Sequence, residues 1–196
     1  MEFTPIVLRG QTVLLEPLGP AAIEAVTAAA LSAPEIWTHI PYAMRDAAQV
    51  ERVLSHALEL QRRGDAVTFV TRLAATGELA GGTSVRLVDR SLPSVEIGGT
   101  WLLPAWQRTR VNTECKLLLL EHCFEPLGCQ RVELKTDIRN TRSQAAIARL
   151  GATREGVLRA HMRRVDGSSR DSVLFSIIAP EWSALRERLR ARLAAG

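Results

Sequence analysis

The pattern of apolar and polar residues along the chain predicts a protein that mixes β-strands and α-helices. Apolar residues recur at helical spacing in residues 47–63 and 181–194. Thr-Gly at 76–77 and Asp-Gly at 166–167 each separate two β-rich runs, as in a hairpin. The predicted strands are 12–16, 67–75, 79–88, 95–103, 131–137, 157–165 and 172–178, and the predicted helices are 20–31, 47–63, 113–125, 141–150 and 181–194.

The order of these elements indicates the fold class. An antiparallel meander followed by a βαβ unit predicts an α+β fold, in which a mixed, mostly antiparallel sheet carries helices on both faces. A doubly wound sheet is excluded, because the three central strands follow one another without helices between them. Since the chain contains no repeat, low-complexity tract or linker, we expect one domain over residues 1–196.

The composition is that of an ordinary globular protein, with 46% hydrophobic and 23% charged residues. No apolar run approaches the ~20 residues that span a bilayer, and the first five residues lack the features of a secretory signal. The three cysteines show no CxxC spacing and the four histidines are scattered, so no metal site is expected. We therefore expect a cytoplasmic protein whose cysteines are reduced core residues.

The net charge of +4 is carried almost wholly by arginine, because Lys116 and Lys135 are the only lysines. This bias is compatible with genome composition, and also with bidentate recognition of phosphate or carboxylate. The arginines between 186 and 192 alternate with leucines at helical spacing and are interpreted as the solvated face of the last helix. Without aromatic residues interleaved among basic ones, nucleic-acid binding is not expected.

Residues 101–112, WLLPAWQRTRVN, are the most informative segment. A strand ends there, a turn follows, and a helix opens with Asn112 as its predicted N-cap. The free N–H groups and the dipole of a helix N-terminus attract anions, and Arg108 and Arg110 lie beside this one. Taken alone, the segment is more simply interpreted as a strand-to-helix connection with solvated arginines.

A second segment begins at Asn140, the predicted N-cap of a helix that has Ser143 in its first turn. In isolation, capping and close helix–sheet packing explain this segment. Together, however, the two segments and the element order resemble the GCN5-related N-acetyltransferase (GNAT) superfamily, most closely its RimJ/RimL branch. The resemblance covers residues 8–185. It is carried by Leu8-Arg9-Gly10, Ile97-Gly98, Trp101-Leu102-Leu103-Pro104, Asn112-Thr113-Glu114, Phe124, Arg131-Val132, Asp137, Asn140, Ser143, Leu150-Gly151-Ala152 and Glu155-Gly156-Val157-Leu158-Arg159.

The resemblance implies acetyl-CoA as co-substrate and transfer of its acetyl group to a primary amine, by direct attack within a ternary complex. It implies that pantetheine pairs with the strand at 101–103 and that the turn and the start of the next helix bind pyrophosphate. It also implies that the side chains of Asn140 and Ser143 reach the pantetheine and the thioester. The implied cofactor-binding residues are Trp101, Leu102, Leu103, Gln107, Arg108, Thr109, Arg110, Val111, Asn112, Thr113, Asn140 and Ser143. A homodimer is also compatible with the resemblance.

The turn departs from the usual Q/R-x-x-G-x-G/A pattern, because Arg110 and Asn112 occupy the two glycine positions. Glycine there lets the backbone approach phosphate and permits a positive φ, which arginine adopts poorly. Either Arg108 or Arg110 replaces part of the backbone cradle, which we favour, or the cradle is impaired. The second case leads to an alternative function, a degenerate acetyl-CoA-binding module without turnover.

The residues that move protons are less well marked. Glu96 is a candidate base, although an edge or surface carboxylate is the simpler interpretation. Ser143 is a candidate acid, and helix capping with a pantetheine contact explains it equally well. The loop with Trp37, His39 and Tyr42 is the predicted wall of the acceptor pocket, and it could equally close the core. The acceptor is expected to be a protein N-terminus or a small amine.

Overall fold

The computed structural model describes residues 4–195. Residues 1–3, which belong to the segment in which no secretory signal is expected, lie outside this range, as does residue 196. One eight-stranded sheet runs through it in the order β1-β2-β3-β4-β5-β6-β8-β7. The strands are β1 (Leu8–Arg9), β2 (Val13–Pro17), β3 (Ala66–Leu73), β4 (Leu79–Asp89), β5 (Ser94–Leu102), β6 (Arg131–Asp137), β7 (Thr153–Arg163) and β8 (Ser169–Ile178). The α-helices are α1 (Ile23–Ser32), α2 (Ala47–Arg62), α3 (Val111–Phe124), α4 (Thr141–Leu150) and α5 (Ala179–Ala194). The predicted fold class is confirmed.

The sheet divides between its two central strands. All described strand pairs are antiparallel except β5 with β6, which run parallel because α3 connects them. Their pairing covers only Ser94 to Glu96 on β5, yet β5 continues to Leu102. Beyond Glu96 the two strands therefore part and leave a wedge-shaped opening in the middle of the sheet.

Helices cover both faces of the sheet, as predicted. On one face α3 and α5 pack against the sheet through a large apolar core that includes Phe69, Leu120 and Leu189. On the other face α1 and α2 enclose a smaller core around Val50 and Trp37. Cys115, Cys123 and Cys129 are buried in the larger core and form no disulfide within the described residues, so they are core cysteines as expected.

Most predicted elements form at their predicted places, and the differences have local causes. The predicted N-cap at Asn112 is wrong, because α3 begins at Val111 with Arg110 as the capping residue. Strand β7 begins at Thr153, four residues before its predicted start, because Thr153 pairs with Ser176 of β8. A short 3-10 turn over residues 20–22 precedes α1.

The position of α3 is fixed by the carboxylate of Glu114 in its first turn. This carboxylate accepts hydrogen bonds from the backbone N–H groups of Gln11, Thr12 and Val13 at 2.8, 2.8 and 3.0 Å. Glycine is required at position 10, because a Cβ there would lie 2.7 Å from Cδ of Glu114. The N-terminus of α3 is thereby tied to the turn between β1 and β2.

The arginines of α5 are not simply solvated, in contrast to the sequence interpretation. Arg190 forms an ion pair with Glu121 at 2.7 Å, and Arg186 forms one with Glu125 at 2.9 Å. Arg188 donates a hydrogen bond to the carbonyl of Leu150 at 2.9 Å. These contacts attach α5 to α3 and α4. Across residues 4–195, none of the helices combines the length and the apolar character that crossing a membrane requires.

Candidate active site

The opening between β5 and β6 leads into a cavity of about 670 Å³. A groove of about 370 Å³ adjoins it and extends to the turn before α3. Nine residues line both spaces: His39, Ile40, Thr100, Trp101, Asn112, Asn140, Ser143, Ala146 and Leu150. The two spaces therefore meet at the wedge in the sheet, where β5 has no strand partner on its β6 side.

Nine of the twelve cofactor-binding residues implied by the resemblance line the groove: Trp101, Leu102, Gln107, Arg108, Thr109, Asn112, Thr113, Asn140 and Ser143. The side chains of Leu103, Arg110 and Val111 do not. Val111 is 1% exposed and belongs to the core. Arg110 points away from the groove, because its Nη2 donates to the carbonyl oxygen of Leu193 at the end of α5, at 2.7 Å.

The backbone of the turn shows why it tolerates the loss of two glycines. Arg110 has φ −69°, a right-handed conformation open to any residue, and Asn112 lies inside the first turn of α3. The left-handed residue is instead Arg108, with φ 62°. A non-glycine residue in this region is strained by about 1–3 kcal/mol, and such strain is concentrated at functional sites.

The groove is suited to an anion. Four arginines line it, Arg108, Arg142, Arg149 and Arg192, whereas no aspartate or glutamate between residues 4 and 195 does. In α3, no backbone hydrogen bond from the N–H groups of residues 112 and 113 is present within the described part of the chain. Free helix N–H groups and surrounding guanidinium groups together bind phosphate well.

Asn140 caps α4 as predicted. Its side-chain oxygen accepts a hydrogen bond from the backbone N–H of Ser143 at 3.0 Å. The Ser143 hydroxyl has no hydrogen-bond partner among residues 4–195, and Ser143 lines both the groove and the cavity. This hydroxyl is therefore available to a ligand that reaches the wedge.

Glu96 lines the cavity but is not a free carboxylate. Its Oε2 lies 3.1 Å from Nζ of Lys135, which also contacts Glu133 at 2.6 Å. Burial acts to lower the pKa of Lys135, but the two carboxylates outweigh it and leave that pKa raised. Lys135 is therefore protonated at neutral pH, and Glu96 would act as a base only while it is held in this ion pair.

Glu155 and His161 take different positions relative to the cavity. The carboxylate of Glu155 is bound by two nitrogens of Arg131 and by the Ser176 hydroxyl, each at 2.6 Å, so Glu155 has a structural role. His161 lines the cavity, and its Nδ1 lies 3.0 Å from Oγ of Ser172. Burial and neighbouring positive charges lower the pKa of His161, which favours the neutral imidazole near pH 7.

The predicted acceptor wall lines the cavity through Trp37, His39 and Tyr42. Trp37 also closes the core, since its indole N–H donates to Ala30 and its ring lies 5.2 Å from that of Trp101. Trp37 therefore lines the cavity and also closes the core, and the binding of an acceptor against it stays a prediction.

Tyr42 reaches the point where the sheet divides. A Cβ placed on Gly99 of β5 would lie 3.5 Å from the Tyr42 hydroxyl. Burial raises the pKa of Tyr42 despite the opposing effect of Arg86 and Arg170, so the phenol remains protonated at neutral pH.

Sequence reasoning missed the cations that line the cavity, which are Arg52, Arg86, Lys116, Lys135 and Arg170. Lys116 is 4% exposed, and its Nζ donates to the hydroxyls of Thr100 at 2.6 Å and Thr83 at 3.3 Å. Burial lowers the pKa of Lys116 to about 8. A lone lysine before four leucines was the available signal for Lys116, whereas no local signal marks the arginines.

Comparison with known proteins agrees with this geometry. A family model described as the acetyltransferase (GNAT) domain matches residues 12–153. Among curated proteins, YdaF of Bacillus subtilis (strain 168), provisionally named a ribosomal N-acetyltransferase, is 29% identical over 106 residues. The match covers 54% of this chain, and the chain spans 57% of the length of YdaF.

Solved structures match over more of the chain. A GCN5-related N-acetyltransferase from Brucella melitensis is 28% identical with a TM-score of 0.88, over 97% of this chain and 86% of that one. RimJ of Mycobacterium smegmatis, solved in complex with CoA-disulfide, is 25% identical with a TM-score of 0.80, over 96% and 93% of the two chains. Because the family model covers well over half of the sequence, the chain belongs to the GNAT acetyltransferase family, as its sequence predicted.

Proposed function

We propose that the protein transfers the acetyl group of acetyl-CoA to a primary amine by direct attack within a ternary complex. One observation carries the proposal: an arginine-lined groove and a separate cavity meet at the wedge between β5 and β6. A phosphate-bearing donor and an amine acceptor could thus approach one point from opposite sides. The CoA-disulfide in the RimJ structure, which shares this fold, supports placing CoA in the groove.

The donor would lie along the unpaired side of β5. Beyond Glu96, the N–H and C=O groups on that side have no strand partner, so pantetheine can pair with residues 100–102 as an added strand would. The pyrophosphate would then meet the N–H groups of Asn112 and Thr113 and the guanidinium of Arg108. Arg110 is excluded from this role by its contact with Leu193.

The acceptor chemistry favours a weakly basic amine. At pH 7.5, removing a proton from a lysine amine costs roughly 4 kcal/mol, whereas an α-amine requires well under 1 kcal/mol. An α-amine therefore needs no strong base, and a water molecule held by the ion-paired Glu96 would suffice. The provisional name of YdaF suggests a ribosomal protein N-terminus among the acceptors to be tested.

The departing thiolate requires a hydrogen-bond donor. The unengaged hydroxyl of Ser143 lies at the meeting point of groove and cavity and would serve as this donor. The protonated phenol of Tyr42, near Gly99, is a second hydroxyl on the acceptor side.

A thiol-release assay tests the proposal by presenting acetyl-CoA with peptides of varied N-terminus and with small amines. CoA binding is measured in parallel by calorimetry. Acetylation of at least one amine class is expected. Tight CoA binding without thiol release from any acceptor would favour the alternative of a binding module, and failure to bind CoA would refute both functions.

A matched pair of variants tests the placement of CoA. Arg108→Asn removes the charge while keeping a residue that tolerates a positive φ, and Arg110→Asn removes the same charge outside the groove. Arg108→Asn should weaken CoA binding about 5- to 20-fold, less at high salt, and Arg110→Asn less than about threefold. Equal effects of the two variants would contradict this placement.

A further inference from the structure

Arg170 is a buried cation whose hydrogen-bonding capacity is unused. It is 6% exposed, and no hydrogen bond from its guanidinium is formed within residues 4–195. The nearest carboxylate oxygen is Oδ2 of Asp137, 3.9 Å from Nε. Asp137 is already occupied, because Arg164 donates to both of its oxygens, at 2.8 and 3.0 Å. Arg170 therefore has only a long ion pair with Asp137, and Asp137 accepts no hydrogen bond from it.

Such a group is costly without a ligand. Buried polar groups in folded proteins are almost always hydrogen-bonded, and a buried charge is tolerated when a partner satisfies it. Arg170 lines the cavity but not the groove, so the partner that its geometry calls for would come from the acceptor side. Arg170 would contact acceptor rather than CoA.

The neighbours of Arg170 have the same character. Arg86 lines the same cavity, and its side chain makes no ion pair or hydrogen bond within the described residues. Both guanidinium groups are close enough to act on the phenol of Tyr42. The single carboxylate in the cavity lining, Glu96, also acts on Arg170 but is bound to Lys135. Arg86, Arg170 and the Tyr42 hydroxyl thus face a space to which the described residues contribute no free carboxylate.

From this arrangement we infer that the acceptor is an amine that carries a carboxylate, which binds to Arg170 with help from Arg86 and Tyr42. The inference rests on the proposed acetyl transfer and names its substrate class. A planar guanidinium binds a carboxylate through two parallel hydrogen bonds, which would fix the orientation of the acceptor. The same positive charges would disfavour the ammonium form of the acceptor, so they would help to present a neutral amine. Polyamines are disfavoured for the same reason.

Paired acceptors test the inference in the full-length protein. One pair is the peptide amides Asp-Ala-Ala-Ala and Asn-Ala-Ala-Ala, and the other is alanine and alaninamide, which isolates the α-carboxylate of a free amino acid. In at least one pair, kcat/KM should be tenfold or more higher for the carboxylate-bearing member. The pair that shows the preference identifies whether the carboxylate belongs to a peptide side chain or to a free amino acid.

Variants assign the preference to Arg170. In Arg170→Gln, KM for the preferred acceptor should rise about 10- to 100-fold, with kcat and the KM for acetyl-CoA changed less than about threefold. Arg86→Gln, at an exposed position, should show a smaller loss and guards against misfolding of the first variant. Arg159→Gln, the same charge change at an exposed position outside the cavity, should behave as wild type.

A binding measurement separates the failure of this inference from the failure of the proposed function. Calorimetry of the CoA-loaded protein with N-acetyl-aspartate amide and N-acetyl-asparagine amide, and with N-acetyl-alanine and its amide, requires no turnover. Absence of acetylation for every amine would refute the function but not the anion site. The inference would be overturned if kcat/KM and product binding were equal within twofold for the two members of both pairs. It would also be overturned if Arg170→Gln and Arg86→Gln kept the preference of the wild type for the carboxylate-bearing acceptor.

Discussion

Replacing Lys116 by methionine should make the protein more stable at neutral pH. The ammonium group of Lys116 is buried on α3 and is bound by the neutral hydroxyls of Thr100 and Thr83. Methionine fills a similar volume without a charge. The two hydroxyls are not left unsatisfied by its introduction, because their oxygens lie 2.8 Å apart and bond to each other.

The magnitude follows from the pKa of Lys116, which burial lowers from 10.5 to about 8. Each pKa unit corresponds to about 1.4 kcal/mol, so the charged lysine destabilises the native state by about 3 kcal/mol. This cost is complete below pH 8, where both states are protonated. Between pH 8 and 10.5 only the unfolded state holds the proton, and the cost declines with rising pH until it vanishes.

Urea unfolding of the wild type and Lys116→Met between pH 7 and 10 measures the difference directly. We expect the variant to be more stable by about 3 kcal/mol at pH 7, with the difference shrinking above pH 8. The second lysine provides the control: Lys135→Met should be destabilising, because it leaves Glu96 and Glu133 without their shared cation. A less stable Lys116→Met protein, or a difference independent of pH, would refute the reasoning.

Three further predictions concern α3, the reaction and the sheet edge. Glu114→Ala leaves three backbone N–H groups without an acceptor, so it should lower the free energy of unfolding by about 3 kcal/mol. Thermal unfolding followed by circular dichroism should show a fall in Tm of about 6–12 °C. The control, Glu51→Ala on the exposed face of α2, should change the free energy of unfolding by less than about 0.5 kcal/mol. Ser143→Ala should lower turnover at saturating acetyl-CoA about 100-fold with CoA affinity unchanged, and wild-type turnover would remove Ser143 from the mechanism. Hydrogen bonds from Arg131 and Ser176 lower the pKa of Glu155 to about 2. Above pH 5, Glu155→Gln should therefore lower the free energy of unfolding by about 1 kcal/mol, a figure that allows for the partial exposure of Glu155. Chemical denaturation should show this loss shrinking as the pH falls toward 2.

Local sequence patterns were sufficient to predict most helices and strands and the N-cap of α4 at Asn140. The hairpin at 76–77 and the helix opened by Asn140 depend on residues close in sequence, so their signals are visible without a structure. Asn112 was misplaced as an N-cap because α3 is capped by the Arg110 backbone, without a side-chain hydrogen bond. Residue type alone does not reveal such a start.

The cations of the cavity depend on pairings that no local window contains. Arg170 lies in the cavity because β8 pairs with β6, so a strand late in sequence is adjacent to the opening beside β5. Arg110 is drawn away from the groove by the C-terminus of α5, 83 residues later in the chain. The positions of Arg170 and Arg110 therefore could not be predicted from the sequence, because each depends on contacts with residues that are far away along the chain.

The parting of β5 and β6 also has a consequence for dynamics. Amide groups that face the opening on β5 lack the protection of a neighbouring strand, so their hydrogens should exchange rapidly with solvent in the ligand-free protein. A donor paired along residues 100–102 would complete the ladder and slow that exchange, which makes the co-substrate a temporary ninth strand. The central sheet would then be most rigid only during the catalytic cycle, and thermal stability would rise with donor concentration by mass action.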